Sequence, residues 1–549
     1  MICLLHGWLL EGSGSNLWTR SIITALCRKG ETVHLVCQEN HPDRYGAIAE
    51  AYRYRLSGEV ETKLNRDTPY PGKCILHQPE IGEILPVFVA DKYEEYDRVV
   101  PMVELPDDVI ESYIQRNVDV VLRVAREHDI HAIHANHVVL MPVVAQRISR
   151  ETGIPFAIMP HGSGIEYAVK KDDRFRRYAA SALADSRRVF VIGGEMRERV
   201  TTVFPELPDI ASKFTELHLG VDSSQFEPVE RTGRPANIAS LVSSIAGVPR
   251  GKSAGQSLSV RSSVSGSLSR PELESIFSDG ARYDGKLPDE DVEAKLESVD
   301  WLNDPVLLFT GRIISPKGIH AVIAALPRIL EKAPETRMIV VGHGPLREPM
   351  EALIAGLQTG DRDLVRSIVK WGHRLEGSPE GENAPADLAE LTRFLDGLAQ
   401  RGEEDDYFGL ARRLLRHDTV IFTGYLTHTE LRFLFPCCDV GIFPSVVKEA
   451  GPLVFLEALA SGCFPLGTYF GGMKASIDAV SSALPPEVGD AMKLGLTDTV
   501  DDLIRQVPRA LETGGAHKAT LARIARERYD WISVAETLRT ELTALSGST

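Results

Sequence analysis

No CxxC pair occurs anywhere in the 549 residues, and the seven cysteines (Cys3, Cys27, Cys37, Cys74, Cys437, Cys438, Cys463) are odd in number. That excludes a zinc ribbon, a CxxC dithiol and a complete disulfide framework. Most of these cysteines lie in apolar runs, where a free thiol behaves as a small buried hydrophobe. They read as core thiols of a protein in a reducing cytoplasm. No segment approaches the roughly 18 consecutive apolar residues of a membrane span. The opening "MICLLHGWLL" has no basic flank and runs into a Gly-rich loop, so it reads as a first strand and not as a signal peptide. An excess of positive charge is also missing: the net charge of -16 argues against a general nucleic-acid binder. One stretch lacks the opposite sign. Thr232 to Pro271 contains no acid, while Arg234, Arg250, Lys252, Arg261 and Arg270 supply positive charge.

What is present is ordinary for a soluble globular chain: 43% hydrophobic and 25% charged residues, with length enough for two or more domains. Short apolar runs alternate with longer amphipathic ones. "MICLLH", "NLWTRSIITALCRKG" and "ETVHLVCQEN" read as strand, helix, strand, and the same design continues through "IHAIHAN", "IPFAIMPHG" and "RRVFVIGG". It starts again with "PVLLFTGR", "GIHAVIAALPRILEKAP" and "TRMIVVGHG", and runs on through "TVIFTGYL", "VGIFPSV" and "FPLGTYF". This alternation predicts α/β architecture, two Rossmann-like domains with parallel sheets. Residues 52 to 105 are less regular and are expected to carry loops or an insertion. The Ser/Gly/Arg-rich stretch from 232 to 272 reads as a floppy insertion, with a mobile lid or partner-contacting loop as the alternative. "HRLEGSPEGENAPADLAE" reads as an acidic surface insertion.

Several positions carry chemistry. Gly12, Ser13, Gly14, Ser15 and Asn16 join a strand to a helix. Small residues there allow close approach to a ligand, and a helix N-terminus favours anions; a tight turn capped by Ser15 or Asn16 is the plainer reading. "GSGSNLW" lacks the third glycine of a dinucleotide fingerprint, which weighs against an NAD-dependent oxidoreductase. His161 follows an apolar strand, at the edge where open α/β sheets bind ligands. His131, His134 and His137 are spaced by three in a strand-like segment with no carboxylate beside them, so no metal site is expected. The acids of "DRD" (Asp361 to Asp363) and "GEEDDYF" read as solvated faces. Arg312 and Lys317, at the end of "LLFTGRIISPKGIH", suit a diphosphate: Arg forks onto two oxygens and Lys acts as a point charge. Gly-containing turns at Val340 to Leu346 and Phe422 to His428 follow strands of the same expected sheet.

The sharpest signal is "KEAGPLVFLEALASG". Glu457 stands alone in an apolar helix with no Lys or Arg three or four residues away, and a buried carboxylate is costly unless something binds it. Glu449 precedes Gly451 and Pro452, at the carboxyl end of another strand. The two acids read as acceptors for hydroxyls at either end of one polar ligand, such as a ribose diol. The plainer reading gives Glu457 to backbone amides or a distant Arg.

Together these residues resemble a retaining glycosyltransferase of the GT-B class, family-four type. The resemblance rests on the E-x7-E pair Glu449 and Glu457, "TGR…PKG", "VGHGPLREPMEAL", "LHLGVDSSQFEP" and "YDWISVAETL" around Trp531. It implies two Rossmann-like domains facing across a cleft, with an acceptor domain at 1–226, a linker and insertion at 227–300, a donor domain at 301–515, and terminal helices at 516–549 that cross back. It further implies that Arg312 and Lys317 bind the donor diphosphate with Gly14, Leu453 and Val454. Glu457 would hold the ribose, and Glu449 with Gly451 the transferred sugar. Tyr425, Leu426 and Gly342 would meet the base. His161 would sit near the reacting carbon, and Gly12, Ser13 and Ser15 on the acceptor side. The implied partners are a nucleotide sugar, a UDP-sugar being favoured, and a sugar, lipid or small-molecule acceptor. No metal, cofactor or nucleic acid is implied. The basic run Lys170 to Phe190 reads as a peripheral membrane or phosphorylated-acceptor contact, or as merely solvated. Departures are Glu449-Ala450-Gly451-Pro452, with its glycine shifted, and GSGSN in place of a Gly-Gly pair. An epimerase or phosphorylase on the same fold, or a non-catalytic nucleotide-sugar binder, is the competing expectation.

Overall fold

The computed structural model describes residues 1–11, 14–88, 96, 98–377, 386–447, 451 and 453–547. The chain forms two compact units, Met1–Gly220 with Arg528–Thr549, and Val221–Glu527. These divisions fall six residues before the expected linker and twelve residues into the expected terminal helices.

In the first unit the strands are β1 (Ile2–Leu5), β2 (Thr32–Val36), β3 (Ile48–Tyr54), β4 (Val60–Asn65), β5 (Lys73–Pro79), the separate pair β6 (Ile84–Val87) and β7 (Arg98–Pro101), then β8 (Ala132–Asn136), β9 (Phe156–Met159), β10 (Arg188–Val191) and β11 (Phe214–Glu216). Nine of them form one sheet in the order β11-β10-β9-β8-β1-β2-β5-β3-β4, antiparallel only at β3–β4. Within residues 52–105, expected to carry loops or an insertion, the end of β3 and all of β4 and β5 therefore extend the sheet. The chain builds outward from β1 in one direction and from β8 in the other, so a crevice opens at the carboxyl ends of these two neighbours. Helix Trp531–Ser546 packs on the same unit. A Cβ at Gly220 would stand 2.3 Å from the Trp531 ring, which accounts for glycine in "LHLGVD".

The second unit holds β12 (Val306–Thr310), β13 (Arg337–Val341), β14 (Val420–Gly424), β15 (Val440–Phe443), β16 (Phe464–Thr468) and β17 (Lys493–Leu494). They are all parallel, in the order β14-β13-β12-β15-β16-β17. Strands β12 to β16 are buried along their whole length, as parallel strands covered on both faces must be. The order reverses between β12 and β15, the strands that lead to Arg312 and to the glutamate motif.

The stretch expected to be floppy is helical, over Arg234–Ser244, Ala254–Ser263 and Arg270–Gly280. Two capping boxes start the later helices, Ser253 with Gln256 and Ser269 with Glu272. Its positive charges meet acids from outside the acid-free stretch. Arg234 pairs with Asp439 at 2.5 Å, Arg250 with Glu293, and Arg270 with Glu274 at 2.7 Å. The Lys252 side chain is fully buried, 2.6 Å from Glu348 and 3.2 Å from Glu351. Asp361 of the "DRD" triplet caps helix Arg362–Trp371 and also accepts from the Gly266 N–H at 2.7 Å, so it is a tie and not a solvated face.

All seven cysteines are buried and unpaired, and burial pushes the Cys3 and Cys27 thiols up to about 12. In the basic run, Lys170, Arg174 and Arg176 are paired with Glu166, Asp172 and Glu206. Among the described residues no helix is long and apolar enough to cross a membrane.

Candidate functional site

At the carboxyl edge of the second sheet, three strand-end loops are laced by backbone hydrogen bonds. Gly311 N–H donates to Val341 O at 3.0 Å, Ile313 N–H to His343 O at 2.8 Å, and Gly342 N–H to Gly424 O at 2.9 Å. The approach is close enough to exclude any side chain at Gly342, where a Cβ would stand 1.8 Å from Gly311 O. Lys317 ends the single turn Ser315–Lys317, pinned by Glu376, which accepts from the Ser315 N–H and, at 2.8 Å, from Ser315 Oγ. Gly318 follows at φ 73°, and a Cβ there would stand 2.1 Å from Pro444 O. The loop after β12 thereby touches the loop after β15, and Ser445 Oγ and Val446 N–H both donate to Pro316 O. Arg312 is exposed, and among the described residues its guanidinium makes no ion pair or hydrogen bond. It lies near His343, whose imidazole is lowered by burial and then by the charges of Lys286 and Arg312. Tyr425, 37% exposed, meets His343 edge-on with ring centroids 5.5 Å apart, and Leu426 beside it is buried.

Glu457 lies in helix Leu453–Ala460, 6% exposed. Its partner is neither an amide nor an arginine. Oε1 is 2.5 Å from Nδ1 of His428, the first residue of the helix that follows the Tyr425 turn. Oε2 is buried and has no hydrogen-bond partner among the described residues. The glutamate is thus tied to the loop expected to meet a base, with one oxygen uncommitted. Leu453 and Val454 are half-buried in the first turn, where backbone N–H groups lack intrahelical acceptors. Glu449 lies outside the described residues, as do Gly12 and Ser13.

In the first unit, His161 follows β9 and is 8% exposed. Its Nε2 is 3.1 Å from Asn136 Oδ1, at the end of β8. Burial, reinforced by His6 and His134, lowers its pKa to about 3, so the ring is neutral. Gly14 opens helix Gly14–Arg28, which places Ser15 and Asn16 inside the helix and not at its cap. Asn16 instead reaches His6 Nε2 at 3.0 Å. His137 has φ 68°, and both its ring nitrogens are buried without a hydrogen-bond partner among the described residues. Its ring lies 4.6 Å from Trp8 and 4.7 Å from His161. His131 is exposed and stands apart from this cluster. A polar cavity of about 370 Å³ opens at the carboxyl ends of β2, β3 and β5, lined by Gln38, Asn40, Arg53 and Gln78 among others.

The structure therefore gathers Arg312, Lys317, Gly342, Tyr425, Leu426, Leu453, Val454 and Glu457 on neighbouring strand-end elements of one sheet. Gly14, Ser15 and His161 belong to the first unit. Sequence reasoning missed His428, His343, His6 and Asn136. Their signal was present only as position: each follows or ends a strand at a carboxyl edge.

Residues 291–364 and 397–493 match the family described as Glycosyl transferases group 1. A segment of 79 residues is 32% identical to a GDP-mannose-dependent alpha-(1-6)-phosphatidylinositol monomannoside mannosyltransferase of Mycolicibacterium smegmatis. That segment covers 14% of this chain and 21% of the relative, so the likeness spans about a fifth of the relative's length. Among solved structures, a glycosyltransferase from Rickettsia africae aligns with TM-score 0.52 at 11% identity over 100% of this chain and 99% of that one. The catalytic domain of starch synthase IV from Arabidopsis thaliana, bound to ADP and acarbose, gives 0.51 at 13% over 100% and 99%. Sucrose-phosphate synthase from Thermosynechococcus elongatus gives 0.50 at 16% over 100% and 99%. At these identities the likeness concerns the fold, which is GT-B, built of two Rossmann-like units. The residues that match the Glycosyl transferases group 1 family all lie in the second of those units.

Proposed function

We propose that this chain is a retaining glycosyltransferase that moves a sugar from a nucleoside-diphosphate sugar to a hydroxyl acceptor. The observation that carries the reading is Glu457, a buried carboxylate with Oε1 on His428 and Oε2 without a partner among the described residues. A ribose hydroxyl would satisfy that oxygen. Arg312 and Lys317 would then face the diphosphate, with the first-turn amides of Leu453 and Val454 beside them, and Tyr425 and Gly342 would meet the base. Glu449 with Gly451, and His161, are assigned roles toward the transferred sugar.

The chemistry follows from what these groups supply. The bond from the anomeric carbon to the diphosphate oxygen breaks, and the diphosphate leaves with the electron pair. The acceptor oxygen bonds to that carbon on the same face, and its proton passes to the departing phosphate oxygen. Cations and helix amides stabilise the charge that develops on the leaving group, so neither a protein nucleophile nor a metal is needed. The polar cavity of Gln38, Asn40, Arg53 and Gln78 is the candidate acceptor subsite.

A uridine diphosphate sugar is the first donor to test. GDP-mannose, named for the mycolicibacterial relative, and an ADP-sugar follow. With water as acceptor, turnover is read as release of nucleoside diphosphate, and the anomer of the freed sugar by proton NMR before it equilibrates. Retained configuration with one donor supports the reading; inverted configuration, or no release with any donor, refutes it.

A further inference from the structure

We infer that a hydrogen-bond chain from the Leu9 carbonyl through His6 and Asn136 holds His161 as its Nε2–H tautomer, so that its Nδ1 lone pair accepts a hydroxyl of the ligand. The ligand half of this inference rests on the reading above; the tautomer rests on the first unit alone.

At one end of this relay stands a carbonyl oxygen, which can only accept. Leu9 O is 3.1 Å from His6 Nε2, so that nitrogen carries the hydrogen. Asn16 agrees independently: its Nδ2 donates to Glu11 O, which turns Oδ1 toward the same His6 Nε2 at 3.0 Å. In a neutral ring His6 Nδ1 is then an acceptor. The Asn136 atom 3.2 Å away must therefore be the amide NH2, which also donates to Thr19 Oγ1 at 2.9 Å. The Thr19 hydrogen goes to Ser15 O at 2.8 Å or to His6 Nδ1 at 3.2 Å, and either way its oxygen accepts from the Asn136 amide.

This fixes the Asn136 amide, and its Oδ1 is left as an acceptor. The two groups that reach it are His161 Nε2 at 3.1 Å and His134 Nε2 at 3.3 Å, and both must donate. The flipped amide would set an oxygen against the His6 lone pair and an NH2 against two ring nitrogens. Burial keeps His6 and His134 neutral as well, each lowered to about 4. His161 therefore offers a ligand a lone pair and no hydrogen at Nδ1, and no described residue bonds there. A phosphate or carboxylate oxygen, having no hydrogen, would meet that lone pair unfavourably. A sugar hydroxyl donates to it. Asn136 and His6 are positioning residues that act through His161.

The test is a long-range proton–nitrogen correlation spectrum of the full chain labelled at histidine nitrogen, with His161 assigned by its loss in the His161→Gln variant. At pH 7 the wild type is expected to show one pure Nε2–H pattern. An Nδ1–H or imidazolium pattern overturns the relay. His6→Leu frees the Asn136 amide and is expected to mix the two tautomers at His161; an unchanged pattern in a folded variant overturns the relay too. Addition of a sugar nucleotide that stabilises the chain is expected to move the Nδ1 signal toward that of a hydrogen-bonded nitrogen. If such a ligand binds and the signal stays still, the hydroxyl assignment fails while the donor reading stands. If no sugar nucleotide stabilises the chain, the donor reading falls and the ligand half falls with it.

Discussion

The two units bury polar groups in opposite ways. In the first, His6, Asn16, Thr19, Asn136 and His161 form a network of neutral rings, amides and a hydroxyl at the edge of the sheet. In the second, Lys252, Arg347, Asp289, Glu348 and Glu351 form a network of full charges beneath the helical insertion. A neutral network is sensitive to where each hydrogen sits, which suits a group that must present one defined face to a ligand. A charged one fixes position: removing one partner strands the others in a medium that solvates them poorly. The insertion is thereby attached to helix Arg347–Thr359 as part of the second unit.

Acidification should separate the two networks most. His6, His34 and His134 are lowered to about 4, and His77 and His161 to about 3, each mainly by burial. In the unfolded chain these rings take up protons near their ordinary value of about 6.5. Their contribution to stability is therefore complete above that pH and is lost as pH falls toward 4 and 3. For Glu351, burial pushes the carboxyl up, but Arg347 and Lys252 outweigh it and hold it at about 2. Its contribution persists until pH falls below the ordinary carboxylate value and is lost toward 2. Calorimetric scans stepped from pH 7 to 4.5 should therefore weaken the first unit more than the second. His343 adds a loss of the same sign to the second. A second unit that melts first would reverse the comparison.

Next in size is the charged network itself. Lys252→Met leaves Glu348 and Glu351 short of a buried cation, at an expected cost of about 3–5 kcal/mol, read as a lower urea midpoint. A midpoint within error of the wild type would mean that the insertion is not held by these charges. Glu457→Gln is expected to leave folding nearly intact but weaken nucleotide binding by about 1.5–3 kcal/mol, the usual worth of a hydrogen bond to a charged group. Calorimetric titration would detect the corresponding loss of about ten- to a hundredfold in affinity. The smallest effect belongs to the insertion's own caps: Ser269→Ala removes one capping box at a cost of about 1 kcal/mol. Chelation by EDTA should leave turnover unchanged if Arg312 and Lys317 suffice to hold the diphosphate; activity restored only by added divalent cation would contradict that.

The parallel strands were legible because their burial on both faces leaves continuous apolar runs such as "VLLF" and "MIVV". Glu457 was legible as an anomaly, one acid in a helix with no room for it. Its partner was not, because His428 is 29 residues away and only the packing of two strand-end elements brings them together. Strands β3 and β4 were hidden by their polar residues, many of them on the solvated side at the sheet's edge. The insertion shows composition outvoting local chemistry. Its Ser and Gly content suggested a floppy segment, yet Ser253-x-x-Gln256 and Ser269-x-x-Glu272 are helix starts visible in the sequence. Lys252, by contrast, finds Glu348 across 96 residues, which no local pattern encodes.

The measurement that bears most directly on the central claim is the melting temperature of the wild type and of Glu457→Gln with UDP, GDP, ADP and NAD. Selective binding stabilises the folded chain by about 2.7 kcal/mol at a hundred times Kd. One nucleoside diphosphate should raise the wild-type melting temperature, and the variant should lose most of that rise. Stabilisation by NAD alone, or an equal response from the variant, would contradict the assignment of Glu457 to a donor ribose.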